Sequence, residues 1–310
     1  MIFDFKKLEL SHRELFNRYL KHYQPQAGEL TFTNLHTWDC VYHSYFTEYE
    51  GFLCIVCGLG EKKFSLTPID GRDEERIPRL AKTFLMLKNY FESISCELVF
   101  KRITEKESFE LEAASKLVGE TVLIEFDRDN SDYVYLYEEM SSLQGKKYHA
   151  KRNHIQNLIN NEQPEYLSLT PELLPDCAKI IELWNLDRAD DEEMRNEKIS
   201  QLTLLENFEK YEGLRGALIK VNGVARGYTI GEMLNNNTLV VHSEKADGSI
   251  RGLYPYLNQQ HLLNEWAGVE FVNREQDCGS EGLRKAKLSY HPNHFVKKFT
   301  IRLELPPEIL

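Results

Sequence analysis

An Asn-Gly pair at positions 222–223 most constrains the fold of this chain, because it separates two apolar runs, 214–221 and 224–233. Asn-Gly between apolar strands is the strongest short signal for a β-hairpin, since both residues tolerate the positive φ of a tight turn. Two helical segments precede the hairpin, and a strand, a helix and a further strand follow it. The second half therefore predicts a mixed α/β domain, with helices at 171–184, 190–211 and 253–266 and strands at 214–221, 224–233, 238–245 and from Phe271.

The first half repeats this order of elements more weakly. Its clearest helix, 77–91, carries an apolar stripe at helical spacing from Leu80 to Phe91. A chain of 310 residues is also long for a single hydrophobic core, so two domains are the default. We predict an α/β fold of two similar domains, residues 1–140 and 141–310, each a mixed sheet flanked by helices. The second domain is expected to carry the active site.

Composition excludes several classes of protein. The net charge of −11 argues against a protein that coats nucleic acid non-specifically, although it leaves room for a local basic site. The longest near-apolar run, Gly51–Gly60, is far shorter than the roughly 20 residues of a spanning helix. We therefore expect a soluble, cytoplasmic protein. Cys54 and Cys57 point to opposite faces of a strand, and no second pair completes a zinc site, so no metal is expected.

A run of polar and charged residues follows the strand that begins at Phe271. A buried strand does not need four polar side chains at its end, whereas a ligand site at the carboxyl end of a strand often does. We expect this run to line a concave pocket and to supply hydrogen-bond donors, orienting groups or proton acceptors to the ligand bound there. The alternative is a solvated loop whose charges pair with one another. The candidate catalytic residues are Arg274, Glu275, Asp277, Lys287 and Tyr290.

A second cluster, between Lys146 and Arg152, is strongly basic. Like charges this close repel by about a few tenths of a kcal/mol per pair, so the cluster favours an anionic partner. Phosphates of a tRNA acceptor stem or of a head group would fit, and each contact would be sensitive to salt. The alternative is an interdomain helix whose cations pair with the acidic surface of the chain itself.

Three segments carry a resemblance to a known family. Leu143–Asn153 is similar to the motif L-x-G-K-x-x-x-x-x-R, and Phe32–Trp38 is similar to F-x-N-L-x-x-W. These motifs, with residues 244–253 and 273–292, resemble the C-terminal domain of bacterial phosphatidylglycerol lysyltransferases and that family's soluble members. The resemblance covers essentially the whole chain. It implies a tandem GNAT-like fold, related to Fem-type aminoacyltransferases.

The resemblance also implies an activity. Family members of known activity move an aminoacyl group from a charged tRNA to a lipid head group, and Fem-type peptidoglycan aminoacyltransferases are similar in fold and donor. This implies an aminoacyltransferase with aminoacyl-tRNA as co-substrate and without a bound cofactor. The membrane-spanning half of the lipid-modifying enzymes is not in this sequence, which leaves the acceptor open as an amine or a hydroxyl. The expected substrate-binding residues are Lys146, Lys147, Lys151, Arg152, His242, Glu244, Lys245, Arg251, Asn273 and Lys285.

Two other functions stay open. An acyl-CoA-dependent N-acyltransferase needs a glycine-rich loop that binds pyrophosphate at a helix N-terminus. The corresponding segment, 247–253, has glycines at the wrong spacing, and Asp247 opposes an anion. The other hypothesis is a non-catalytic binding or regulatory module built on the same fold.

Overall fold

The computed structural model of the protein describes residues 4–186 and 192–304, which fall into two compact units. Unit 1 contains the chain up to Asp132, then Gln276–Gly279, and the chain from Val296 onward. Unit 2 contains Tyr133–Glu275 and Ser280–Phe295. Two pieces of the predicted second domain, 141–310, therefore pack with unit 1. The first two residues of the helix predicted at 190–211 lie outside the described residues.

Unit 1 contains short strands, two long helices and the strand that closes it. Its elements are β1 (Lys6–Lys7), α1 (Arg13–Tyr23), α2 (Phe32–Thr37), α3 (Asp39–Tyr42), β2 (Tyr45–Tyr49), β3 (Phe52–Cys57), β4 (Phe64–Ser65), β5 (Ile69–Asp70), α4 (Arg76–Ser93), β6 (Val99–Thr104), α5 (Glu105–Leu117), β7 (Val122–Leu136, which continues into unit 2) and β13 (His294–Leu303, from Val296 onward).

The sheet of unit 1 is mixed. Its strands lie in the order β1-β2-β3-β4-β6-β13-β7, with β5 paired to β3. Only the pairing of β4 with β6 is parallel among the registers described for this unit. The apolar stripe of α4, from Leu80 to Phe91, is buried against side chains of β3 and β6, as its helical spacing predicts. Cys54 and Cys57 are both buried and free.

Three buried charged side chains and the partly buried Arg102 lie together in unit 1. Lys298, which is fully buried, donates to both carboxylate oxygens of Glu29 at 2.6 and 2.5 Å and to Asp132 Oδ1 at 2.5 Å. Arg102 pairs with Glu29 at 2.7 Å. Burial opposes the charged form of Glu29, but Lys298 and Arg102 outweigh it and lower the pKa of this carboxyl to about 2. The two cations and two carboxylates balance, which is the condition for keeping charges in a core.

Unit 2 contains the remaining helices and strands. Its elements are the end of β7, α6 (Tyr137–Ser142), α7 (His149–Glu162), β8 (Glu165–Ser168), α8 (Leu174–Leu186), α9 (Glu192–Glu206), β9 (Arg215–Val221), β10 (Val224–Met233), β11 (Thr238–Ala246), α10 (Leu253–Glu265), β12 (Phe271–Asn273) and α11 (Glu281–Leu288).

The predicted hairpin is confirmed in unit 2. β9 and β10 are antiparallel, and Asn222 and Gly223 between them both have positive φ, 53° and 75°. This is the backbone that a two-residue turn requires and that most other residues resist. β10 continues antiparallel to β11, whereas β12 is parallel to β11 and antiparallel to β7.

Each unit contains the same crossover. In unit 1, α4 precedes β6, which lies parallel to β4; in unit 2, α10 precedes β12, which lies parallel to β11. The repeated order expected from the sequence is therefore present. The predicted fold class, α/β with mixed sheets flanked by helices, is confirmed. Within the described ranges, no helix combines the length and apolarity needed to cross a membrane.

Candidate functional site

Charged side chains of unit 2 converge where the parallel strand β12 ends. β12 is only three residues long, so its register with β11 stops at Val240 and Asn273. β11 continues beyond this point, and its next side chains on one face are His242 and Glu244. The polar run predicted from the sequence thus begins at a short parallel strand, at the edge where ligands bind in open α/β sheets.

His242 is held between two carboxylates. Its Nδ1 lies 3.1 Å from Glu275 Oε1 and its Nε2 lies 2.8 Å from Glu232 Oε1, with only 6% of the side chain exposed. Burial lowers the pKa of His242, but the hydrogen bonds to both glutamates outweigh burial and raise it to about 9. The ring is therefore an imidazolium at neutral pH that donates from both nitrogens. It fixes two carboxylates and is not available as a general base.

Arg274 forms the second part of the network. Its Nη2 donates to both carboxylate oxygens of Glu244, at 3.0 and 3.2 Å, and Asn258 donates to the same carboxylate at 2.9 Å. The guanidinium lies 4.9 Å from the centre of the Tyr290 ring. Arg274 Nη1 is buried and donates to no described residue. This network thus contains one strong donor without an acceptor.

Lys287 holds the backbone of the same segment. Its ammonium donates to the carbonyl oxygens of Arg274 and Glu275, and the residue is buried. Glu275 has a φ of 57°, which a residue with a side chain rarely adopts, and its N–H is held by Asn273 Oδ1 at 2.7 Å. Lys287 and Asn273 therefore stabilise a strained turn, and such strain is concentrated at functional sites.

The structure brings four of the five predicted catalytic residues together in unit 2. Arg274, Glu275, Lys287 and Tyr290 belong to the cluster just described. Asp277 belongs to unit 1, where its buried carboxylate pairs with Arg128 at 3.4 Å. A separate open cleft of about 740 Å³ in unit 2 is lined by residues that include Glu138, Glu139 and Glu270, and by none of the predicted site residues.

The cations of the basic segment fall into two groups. Some bond to carboxylate or carbonyl oxygens of the chain itself, and the others do not. Lys147 pairs with Glu139 at 2.7 Å, and Arg152 donates to the carbonyl oxygens of Leu143 and Gly145, at the end of α6. These contacts match the alternative in which the chain itself pairs the cations. Lys151 instead donates to a hydroxyl, and Lys146 is exposed without an ion pair to a described residue.

Three further predicted binding residues lie away from the cluster. Lys245 points to the opposite face of β11, where it pairs with Glu197 at 2.7 Å and lies 3.3 Å from the centre of the Trp184 ring. Alternation along a strand requires this, because Glu244 is its neighbour. Arg251 contacts His154 at 3.3 Å, and Lys285 is exposed on α11.

The loop before α10 is closed upon itself. Asp247 accepts from the N–H of Ser249 with its carboxylate at 3.0 Å and from the N–H of Ile250 with its carbonyl at 3.2 Å. Gly252 has a φ of 94°, and a Cβ there would lie 2.4 Å from the His154 carbonyl oxygen. Two amides that a pyrophosphate would need are thus already bonded, and an anionic side chain occupies their position.

Sequence reasoning missed two residues of the network. Glu232 is an acidic residue in the mostly apolar strand β10, next to the register shift at Gly231, and its charge at that position could have indicated a site. Asn258 lies among buried side chains of α10, where periodicity alone predicts only core packing.

Comparison with known proteins identifies the family of this chain. Residues 20–302 match the family model described as phosphatidylglycerol lysyltransferase, C-terminal, and the chain belongs to this family. The resemblance predicted from the motifs is confirmed. A curated, uncharacterised protein of Mycoplasmoides gallisepticum is 23% identical over 176 residues, and this chain spans about half of that relative, 56%.

Solved structures extend the comparison. A conserved protein of unknown function from Bacteroides thetaiotaomicron is 30% identical, with a TM-score of 0.88 over 98% of this chain and 100% of that one. L-PGS from Bacillus licheniformis is 13% identical, with a TM-score of 0.64 over 93% of this chain and 91% of that one. FemX is 8% identical, with a TM-score of 0.64 over 96% and 97%. The last two show a shared fold.

Proposed function

We propose that unit 2 is an aminoacyltransferase domain that moves an aminoacyl group from aminoacyl-tRNA to an amine or hydroxyl acceptor. One observation carries the proposal: a network of buried charges surrounds the strained end of β12, while the loop that would bind acyl-CoA is occupied by Asp247. Family membership supports the reaction class.

The reaction needs few groups from the protein. The acceptor nitrogen or oxygen forms a bond to the ester carbonyl carbon, the bond from that carbon to the ribose oxygen breaks, and the acceptor's proton passes to the leaving ribose oxygen. Holding both substrates in place can contribute up to about 7–11 kcal/mol, and no covalent enzyme intermediate is required. Arg274 supplies the donor without an acceptor, while Lys287 and His242 hold the turn that positions it.

A non-catalytic binding module is the second candidate. The observation that favours it is that His242 already pairs with Glu232 and Glu275, and Arg274 with Glu244, as in a structural ion network. Such a module would bind its ligand without turnover. A transfer assay would distinguish this module from the enzyme, whereas a binding assay would not.

Retention of charged tRNA on a filter tests the donor. The protein is expected to retain charged tRNA at 50 mM salt and to lose most of that affinity at 200 mM, because each phosphate contact releases counterions. Replacing the exposed Lys146 and Lys285 together with Glu should lower the affinity about tenfold or more.

The matched control has the same change of charge. Lys179 and Lys210 are also exposed lysines of unit 2, and replacing both with Glu should leave retention within about twofold of wild type. An increase in melting temperature with acetyl-CoA, together with no effect of charged tRNA, would show that the donor is acyl-CoA.

A further inference from the structure

Two cations of unit 2 share one aromatic ring. Lys151 Nζ lies 3.8 Å and the Arg274 guanidinium 4.9 Å from the centre of the Tyr290 ring. A ring face attracts a cation, but two cations at one ring repel each other. Their closeness therefore needs a compensating negative charge.

Among the described residues, only one of the two cations, Arg274, has a carboxylate partner. Glu244 pairs with Arg274 through Nη2. Lys151 donates to Ser289 Oγ at 2.8 Å and forms no ion pair with a described residue. This is unusual in a chain with 49 acidic and 38 basic residues, in which the neighbouring Lys147 pairs with a glutamate.

The electrostatics of Lys151 agree with this geometry. Burial, and then the charge of Arg274, lower the pKa of Lys151 to about 8. The other groups that face it are the neutral Tyr290 and Ser289 and, one turn along α7, His154, whose pKa burial, Arg251 and Lys151 together lower. No carboxylate of the described chain compensates Lys151.

We infer that Lys151 and Arg274 form a subsite for a phosphate group, bound between Lys151 Nζ and Arg274 Nη1 beside the Tyr290 ring. Lys151 is half-buried, and its present partner Ser289 is exposed, so an incoming anion can take the place of that hydroxyl. Arg274 Nη1 supplies the second donor, which now has no acceptor. A phosphate would neutralise the excess charge and satisfy that donor together.

Two sources supply this chemistry. One is the 3′-terminal nucleotide of a charged tRNA, and the other is the phosphate of an acceptor such as a glycerophosphate head group. Assigning either to a substrate rests on the proposed function. Phosphate binding itself does not, so it can be tested when no transfer is observed.

Calorimetry with AMP and with sn-glycerol 3-phosphate tests the subsite, with adenosine and glycerol as controls for the parts without phosphate. One of the two phosphates should bind and its control should not. Lys151→Gln should weaken that binding about tenfold, the loss of one charge-assisted hydrogen bond. Lys147→Gln, a lysine of the same segment that also lies on a tyrosine ring but has its own glutamate, should change it less than about twofold.

A second variant, Arg274→Lys, tests the subsite if Lys151→Gln does not fold. Arg274→Lys keeps a cation for Glu244 and removes the Nη1 donor, so it should also weaken binding. AMP binding that depends on Lys151 assigns the site to the nucleotide, and glycerol 3-phosphate binding that depends on Lys151 assigns it to the acceptor. Binding of neither phosphate, or binding that is equal in wild type and Lys151→Gln, overturns the inference. Phosphate binding without aminoacyl transfer would sink the proposed function alone.

Discussion

Lys298→Met is expected to lower the free energy of unfolding by about 3–5 kcal/mol. The change removes a fully buried cation from between Glu29 and Asp132 and leaves Arg102 as the one cation of the four-residue cluster. An uncompensated buried carboxylate costs far more than a lost surface pair. Urea denaturation of the whole chain would measure the loss.

Lys297 provides the control, because it is adjacent in sequence. Its ammonium pairs with Glu105 at 3.0 Å, and about half of each side chain is exposed. Lys297→Met is therefore expected to change stability by less than about 1 kcal/mol. If Lys298→Met lowers the free energy of unfolding no more than Lys297→Met does, the ion pairs of Lys298 do not stabilise the protein as expected.

The protein is expected to lose stability at alkaline pH, where His242 loses its proton. The folded pKa is raised to about 9, above the ordinary 6.5, so the folded state binds the proton more tightly than the unfolded state. The contribution is fully present below pH 6.5 and is lost as the pH rises through 9. It amounts to about 3 kcal/mol, and unfolding free energies measured from pH 6 to pH 10 would show it as a decline.

Two histidine variants distinguish the titration of His242 from the titration of other groups. His242→Gln should flatten the decline between pH 6.5 and 9. His261→Gln should not, because burial lowers the pKa of His261 to about 3 and its contribution is lost as the pH falls below 6.5. A His242→Gln protein with the wild-type slope would mean that the imidazole is not charged in the folded state.

The sequence predicted well what depends on local chemistry. The hairpin at Asn222-Gly223 follows from two residues that tolerate positive φ, and the helix from Arg76 to Ser93 follows from an apolar stripe. The clustering of Arg274, Glu275 and Lys287 near the end of β12 follows from polar residues that come directly after an apolar strand. In each case neighbouring residues determine the result.

Long-range contacts gave no comparable signal. Lys298 and Glu29 are 269 positions apart, and nothing in either segment marks them as partners. β13 lies within the predicted second domain, 141–310, but from Val296 onward it pairs with β6 in unit 1. Lys147 lies in the predicted basic cluster, and a turn at 146–148 directs it to Glu139. Pairing over such separations depends on the complete fold.

Transfer of an aminoacyl group from tRNA by unit 2 can be tested by following the label of a radioactive aminoacyl-tRNA mixture. The protein, the charged tRNA and a panel of small amines and hydroxyl compounds are incubated together, with parallel reactions that contain labelled acetyl-CoA. We expect labelled product from aminoacyl-tRNA and none from acetyl-CoA, with Arg274→Lys reducing the yield. Labelled product from acetyl-CoA and none from any aminoacyl-tRNA would contradict this expectation.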